Sequence, residues 1–150
     1  MRVVIQRVSQ AKVEVDKKVI GSCTKGLLIL AGIEDADMED DAAWLCTKTI
    51  NLRIFNDTEG KMNLSLKDVN GEILVVSQFT LYASTKKGNR PSYIQAARPG
   101  KALPLFNIFV EMLRKESGRP VATGEFGAHM EVSLVNDGPV TIIIDSKNKE

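Results

Sequence analysis

Two short, unbroken apolar runs constrain the fold of this 150-residue chain more than any other feature of its sequence. The first, Leu27–Ala31, lies between Gly26 and Gly32, and the second lies within Glu72–Gln78. A strand with one face in water alternates between apolar and polar residues, and neither of these runs does so. Both runs therefore predict buried strands, and we expect the first to lie centrally with both faces covered.

Other segments have the pattern of strands with one face in water. Apolar and polar residues alternate over Ala11–Val15, and a polar turn leads into Val19–Cys23, which together predict a hairpin. Toward the other end of the chain, Glu131–Val135 and Val140–Ile144 are strand-like runs. The segment Asn136–Pro139 between them is dense in turn-forming residues, so we expect it to join two strands.

The sequence predicts helices in two segments. The acidic residues of Asp37–Asp41 would occupy the first turns of a helix that runs to about Asn51, where negative charge meets the positive end of the helix dipole. We interpret this cluster as capping on a largely exposed face, because no histidine accompanies it as in a metal site. A second helix is predicted over Ala102–Ser117, with Pro104 in its first turn and Gly118 at its end. This order of strands and helices indicates one α/β domain over residues 1–150.

Several classes of protein are disfavoured. The chain reaches polar residues after three apolar positions, and no apolar run approaches membrane-spanning length, so we expect a cytoplasmic protein without a membrane partner. Cys23 and Cys46 lie far apart without nearby histidines, which predicts two buried thiols rather than a disulfide or a metal site. The single histidine, His129, cannot form a multi-histidine metal site, and nothing near it completes a Ser/His/Asp triad. No glycine pattern for nucleoside triphosphates or NAD follows a strand, so neither of these ligands is expected. With the metal sites disfavoured above, we expect neither a metal nor a cofactor.

The charge distribution indicates a local basic surface. The net charge is only +1, which argues against coating a long nucleic acid through bulk electrostatics. Between Glu72 and Glu111, however, there is no acidic residue. The basic residues of that stretch are Lys86, Lys87, Arg90, Arg98 and Lys101. Such a surface suits a partner that presents a few phosphates, such as one end of an RNA, although the pattern alone fits a solvated loop equally well.

The segment Ser77–Leu81 is a candidate site because of its position. It lies where a buried strand ends and the acid-free stretch begins, and it carries the polar side chains of Ser77, Gln78 and Thr80. Polar residues at a strand end are well placed to face a ligand. They are equally well placed to satisfy nearby backbone groups, so the residues alone leave both interpretations open.

Two motifs carry a resemblance to a known family. Ser77–Leu81 has the sequence SQFTL and Asn136–Thr141 has the sequence NDGPVT, and both resemble motifs of the D-aminoacyl-tRNA deacylases. The resemblance extends to Met1–Val8, Gly88–Tyr93 and Phe126–Met130, so it covers essentially the full length. It implies a hydrolase that cleaves the ester bond of D-aminoacyl-tRNA, releases the free D-amino acid and tRNA, and so serves translation quality control.

The same resemblance implies a fold and a shared active site. The fold would have layered, partly barrel-like β-sheets with two helices. Two chains would form a homodimer with the active site at the interface, where Gly138 and Pro139 of one chain enter a pocket around Ser77–Thr80 of the other. The peptide bond before Pro139 is expected to be cis.

Discrimination between D and L esters would depend on a rigid wall. The two esters carry identical groups, so an apolar pocket gains little discrimination, whereas a fixed loop that collides with one configuration can reject it. The resemblance gives this role to the carbonyls of Gly138 and Pro139, with Arg7 holding the loop and with Phe126 and Met130 at the substrate site. Glycine has no side chain on either face of its α-carbon, so we expect the same site to hydrolyse glycyl-tRNA.

The chemical step has two interpretations. Thr80 is a candidate nucleophile in the family, but a threonine hydroxyl is weak without a base, and no histidine or lysine accompanies the motif. We favour assistance by the ribose hydroxyl next to the ester, with backbone N–H groups near Phe79 and Thr80 stabilising the oxyanion. Lys86, Lys87 and Arg90 would contact phosphates or the stacked end of the acceptor stem. A non-catalytic tRNA-binding module and a small-molecule esterase remain alternatives, and no DNA partner is expected.

Overall fold

The first strand organises the sheet in this computed structural model, which describes residues 1–149. Glu150, the last residue of the polar tail, lies outside the described residues. In chain order the elements are β1 (Arg2–Val15), β2 (Lys18–Cys23), β3 (Gly26–Gly32), α1 (Glu39–Asn51), β4 (Phe55–Asn56), β5 (Met62–Leu64), β6 (Glu72–Ser77), a 3-10 turn (Phe79–Tyr82), α2 (Pro99–Ser117), β7 (Val121–Thr123) and β8 (Glu131–Asp145).

The main sheet curls until its edges meet. The first half of β1 pairs antiparallel with β3, its second half pairs antiparallel with β2, and β8 runs along its other edge. Beyond β3 come β6 and β7, both parallel to their neighbours. A β-carbon added at Gly21 of β2 would lie 2.5 Å from the carbonyl oxygen of Thr123 in β7, so these two strands are in contact. The prediction of an α/β fold with partly barrel-like sheets and two helices is confirmed, with β4 and β5 forming a second, small sheet.

The alternating side chains of β3 enter two separate cores. Leu27 and Ile29 belong to a large apolar cluster that includes Leu45 of α1 and Phe109 of α2. Leu28 points the other way, into a smaller cluster with residues of β1, β2 and β6. The prediction that this strand is covered on both faces is therefore confirmed, and the second run forms β6 beside it in the sheet.

The acidic cluster is divided between a helix cap and a buried ion pair. Glu39, Asp40 and Asp41 lie in the first turn of α1, and the Asp41 carboxylate accepts the Met38 N–H at 2.9 Å, as the capping prediction required. Asp37 precedes the helix and is buried, with its carboxylate accepting from the amino group of Met1 and from the Glu34 N–H. The expected exposed position was wrong for Asp37, because its charged partner is the amino group of Met1, the residue before β1.

The second helix begins three residues earlier than predicted. Pro99 is its first residue, a position that tolerates proline because the N–H there has no partner inside the helix. Pro104 therefore lies inside the helix rather than in its first turn. Gly118 ends the helix as expected, with φ of 63° and its N–H donating to the Arg114 carbonyl at 3.0 Å.

The prediction of two C-terminal strands joined by a turn was wrong. Glu131–Asp145 is a single strand, and both of its halves pair with β1 rather than with each other. The register passes from Asn136, opposite Val8, to Thr141, opposite Gln6, so the turn-forming residues bulge out of the ladder. The cause is the length of β1, which offers a partner to both halves.

Two smaller expectations concern the thiols and the membrane. Cys23 and Cys46 are free and buried, as predicted. Burial raises the pKa of the Cys23 thiol to about 11 and that of the Cys46 thiol to about 12, so both remain protonated at neutral pH. Within residues 1–149, no helix is long and apolar enough to cross a membrane.

Candidate active site

The segment after β6 turns sharply and leaves two backbone donors without partners inside the turn. The Gln78 N–H donates to the Ala31 carbonyl at 2.8 Å, which continues the pairing of β6 with β3. The 3-10 turn then begins, and the Leu81 N–H donates back to the Gln78 carbonyl at 3.3 Å. The N–H groups of Phe79 and Thr80 come before that first bond, so the turn itself offers them no acceptor. Two adjacent donors of this kind can bind an oxyanion.

The hydroxyl of Thr80 is held as an acceptor. The side-chain amide of Gln78 donates to Thr80 Oγ1 at 2.5 Å. Among the residues that the structure describes, no histidine, lysine or carboxylate hydrogen-bonds to this hydroxyl. The contact that Thr80 does make cannot remove its proton, because an amide N–H is a donor.

A cavity of about 330 Å³ opens beside this turn. The Phe79 ring lies 5.2 Å from the Tyr93 ring in an edge-on arrangement, and the Phe126 ring lies 6.0 Å from the Phe106 ring. Such a size and a largely apolar wall suit one small organic group. The lining residues are Ala31, Ile33, Ser77, Gln78, Phe79, Tyr93, Ala96, Ala97, Arg98, Pro99, Ala102, Phe106 and Phe126.

The Gly138–Pro139 loop is fixed but faces solvent. Its peptide bond is cis, as the resemblance implies, and both residues are exposed. The side chain of Asn136 spans the loop, since its Oδ1 accepts the Val140 N–H at 3.0 Å and its Nδ2 donates to the Thr141 hydroxyl at 3.1 Å. The loop is thus closed by its own first residue.

Arg7 hydrogen-bonds to the Gly138–Pro139 loop and holds it in place. Its guanidinium is buried and donates to the Asp137 carbonyl at 3.0 Å and to the Ile54 carbonyl at 2.6 Å. Gly138 has φ of 135°, and a β-carbon there would lie 3.0 Å from Arg7 Nη2 and 2.9 Å from Val140 Cγ2. Only glycine fits this conformation and this space without moving the loop.

The structure brings together some of the sequence-predicted site residues and separates others. Ser77, Gln78 and Phe79 share the cavity with Phe126, and Thr80 follows in the same turn. Of the residues that the structure describes, the lining does not include Gly138, Pro139, Arg7 or Met130 of the same chain. The Met130 side chain instead packs against the smaller core.

The basic residues lie on a loop that leads to the cavity. Ser84 and Ser92 exchange backbone hydrogen bonds of 2.8 and 2.9 Å, which closes the base of the loop. Lys86, Lys87 and Arg90 are exposed on the loop, and Tyr93, which follows its base, lines the cavity.

Sequence reasoning missed one wall of the cavity. Tyr93 and the segment Ala96–Pro99 line that wall. Tyr93 was part of a recognised motif and Arg98 was one of the clustered basic residues, and these were the available signals.

Comparison with known proteins gives consistent matches. A family model described as D-Tyr-tRNA(Tyr) deacylase matches residues 4–145. Proteins named D-aminoacyl-tRNA deacylase from Flavobacterium psychrophilum and Bacteroides thetaiotaomicron are 65% and 56% identical over 150 residues, which is the whole of both chains in each case.

Two solved structures are also similar. One, described as "c-Myc DNA Unwinding Element Binding Protein", is 40% identical with a TM-score of 0.91 and covers 97% of this chain and 98% of its own. The other, described as a probable eukaryotic D-amino acid tRNA deacylase, has a TM-score of 0.81 over 95% of this chain and 97% of its own. At 19% identity, it supports the fold alone.

Proposed function

The chain belongs to the D-Tyr-tRNA(Tyr) deacylase family and is a hydrolase, a D-aminoacyl-tRNA deacylase, and from this premise we propose how its site works. Two copies of the chain form a homodimer, and the Gly138–Pro139 loop of one copy enters the cavity beside Ser77–Thr80 of the other. We take residues 1–150 as one domain that acts in the cytoplasm on tRNA without a metal or cofactor.

The position of the loop carries this proposal. Arg7 and Asn136 fix it rigidly, yet it is exposed and does not line the cavity of its own chain. A rigid, exposed loop without a target in its own chain supports the proposal that it enters the cavity of a second copy. Three apolar side chains exposed on β8, Leu134, Val135 and Ile143, favour a protein partner on the same strand.

Selectivity for D over L esters depends on steric exclusion of the L side chain rather than on attractive contacts with the D side chain. The loop would stand where the side chain of an L-amino acid must go, and its collision with that side chain excludes the L ester. Phe126 borders the same cavity, and we assign it to substrate contact. Met130 packs against the smaller core of its own chain, and its assignment to substrate contact rests on the family resemblance alone. A glycyl ester has no side chain to collide, so the site accepts it.

Cleavage uses groups that the protein and the substrate already hold in place. The N–H groups of Phe79 and Thr80 bind the oxyanion that forms at the ester carbonyl. The ribose hydroxyl next to the ester assists the attack of water, because the Thr80 hydroxyl already accepts from Gln78 and has no base beside it. Gln78 and Ser77 line the cavity at this site.

Hydrolysis of matched tyrosyl-tRNAs tests the function. We expect rapid loss of the D-tyrosyl ester and measurable loss of glycyl-tRNA, while the L-tyrosyl ester is spared. Tight tRNA binding without cleavage of any ester would indicate a non-catalytic binding module. Hydrolysis of simple esters without RNA would indicate a conventional esterase.

The basic loop would contact the tRNA backbone. Replacing both Lys86 and Lys87 by Gln should raise KM for tRNA and reduce the slope of log KM against log salt by about one for each lysine, because each phosphate contact releases counterions. The matched control replaces the exposed pair Lys17 and Lys18, at the β1–β2 turn, by Gln and should leave the slope unchanged. An unchanged slope in the first variant would place the RNA elsewhere. DNA of matched length is used as a competitor for tRNA in the same assay, because one structural relative is named for DNA binding.

A further inference from the structure

The turn that carries the two free N–H groups rests directly on Gly32, the last residue of β3. A β-carbon at Gly32 would lie 3.0 Å from the Gln78 carbonyl oxygen, 3.0 Å from Leu81 Cβ and 3.3 Å from Tyr82 Cδ2. All of these atoms belong to the turn or to the residue before it. These approaches are shorter than ordinary van der Waals contact, so a side chain at this position would push the turn away from the sheet.

Arg2 holds the other end of the turn. It lies opposite Gly32 in the β1–β3 register, and its Nη1 donates to the Leu81 carbonyl at 2.7 Å. Its guanidinium lies 4.8 Å from the centre of the Tyr82 ring. The remaining donors, Nε and Nη2, bind the Asp145 carboxylate at 3.0 and 2.8 Å, which fixes the orientation of the planar group.

We propose that Gly32 and Arg2 are positioning residues for deacylation. Gly32 sets the height of the turn above β3, and Arg2 fixes its far end, so that the N–H groups of Phe79 and Thr80 stay in one place. The inference rests on the proposed function, which assigns these two N–H groups to the oxyanion. Donors of this kind act because they are already aligned with the charge that develops in the transition state.

This role predicts a specific kinetic pattern. The two N–H groups act on the ester carbonyl, which D-aminoacyl and glycyl substrates share, whereas the Gly138–Pro139 loop acts on the side chain. Displacing the turn by a few tenths of an ångström should therefore lower kcat for both substrates by the same factor. It should leave KM and the preference for D over L esters unchanged.

The test compares Gly32→Ala with Gly100→Ala, a control because a β-carbon at Gly100 meets nothing within 4 Å. We expect Gly32→Ala to lower kcat by about tenfold on D-tyrosyl- and glycyl-tRNA alike. Backbone amide NMR signals should move mainly in residues 78–82 and in β3 next to the substitution.

A second comparison uses Arg2→Lys, which we expect to lower kcat by about threefold, because lysine cannot reproduce the planar fork of the guanidinium. Its control, Arg119→Lys, alters an arginine that donates to the backbone carbonyls of Asn70 and Gly71.

Three outcomes would overturn the proposal while the proposed function stands. One is an unchanged kcat in Gly32→Ala although the amide signals of the turn move. Another is a rise in KM alone, and the third is a loss of the D preference, which would link Gly32 to substrate selection. If Gly32→Ala does not fold, an unchanged kcat in Arg2→Lys overturns the proposal. If the wild-type protein cleaves no D ester, the proposed function fails and this inference fails with it.

Discussion

Replacing Phe79 with proline is expected to lower kcat on D-aminoacyl-tRNA by about 10²- to 10³-fold, the loss typical of removing one oxyanion donor. Proline has no N–H, and it is well tolerated as the first residue of a helical turn, where that N–H has no internal partner. Phe79 is the first residue of the 3-10 turn. Gln78 before it has φ of −144° and ψ of 82°, outside the helical region that proline disfavours in its predecessor.

The matched control is Phe79→Ala, which keeps the N–H and removes the same phenyl ring. Because the ring is exposed and its aromatic contact is with Tyr93, we expect this variant to lose less than about tenfold in kcat. Single-turnover rates and thermal unfolding of both variants separate catalysis from folding. Equal losses in the two variants would assign the effect to the ring and contradict the oxyanion role.

Removing the ribose hydroxyl next to the ester should have an effect of similar size. A D-aminoacyl-tRNA with hydrogen in place of that hydroxyl is expected to be cleaved about 10³-fold more slowly, within the range of general acid–base assistance. The reason lies at Thr80, whose hydroxyl accepts from the Gln78 amide and has no base beside it. In the proposed mechanism, the attack therefore uses a group that the substrate brings.

Thr80→Ala is the companion experiment, and we expect it to keep kcat within about tenfold of the wild type. Competition with uncharged tRNA checks that neither change alters RNA binding. The opposite pattern would restore Thr80 as the nucleophile. In that pattern the altered tRNA is cleaved normally, while Thr80→Ala loses about three orders of magnitude.

Local patterns in the sequence predicted both helices and the two strands that are buried on both faces, but only the second half of β1. The unbroken apolar runs located β3 and β6, and the acidic cluster located the start of α1 within two residues. The strands β4, β5 and β7 were not predicted, because two or three residues are too few to show a period.

The errors arose where a distant partner decides the outcome. Asn136–Pro139 has the composition of a hairpin turn, but β1 is long enough to pair with both flanking runs, so the segment bulges within one strand. Asp37 belongs to an acidic cluster that is otherwise helical, yet the amino group of Met1 draws it into the interior. Neither partner can be found from the neighbouring residues.

The candidate site shows the same limit. Ser77–Thr80 was located from its motif, whereas the alanines at positions 96, 97 and 102 of the cavity wall carry no reactive group, and Tyr93 and Arg98 were the only signals there. The requirement for glycine at position 32 is one of space rather than of backbone conformation. It becomes visible only when the turn is seen packed against β3.

The proposed sharing of the site between two chains makes a demanding prediction about mixed dimers. Gly138→Ala should impair the loop, because its β-carbon would meet Arg7 and Val140, and Phe79→Pro should impair the turn. Gly60→Ala is the control for the loop variant, since Gly60 also has a positive φ, of 77°, but a β-carbon there meets nothing within 4 Å. In a dimer of one loop variant and one turn variant, one site would combine the intact loop of one chain with the intact turn of the other.

The most direct test of this account is therefore the D-tyrosyl-tRNA hydrolysis rate of that mixed dimer. The two variants are co-expressed with different C-terminal tags and purified through both. Both variant homodimers should be strongly impaired, and the mixed dimer should recover roughly half of the wild-type rate, because one of its two equivalent sites is intact. A mixed dimer no more active than the variant homodimers would show that loop and turn act within one chain and would contradict the account.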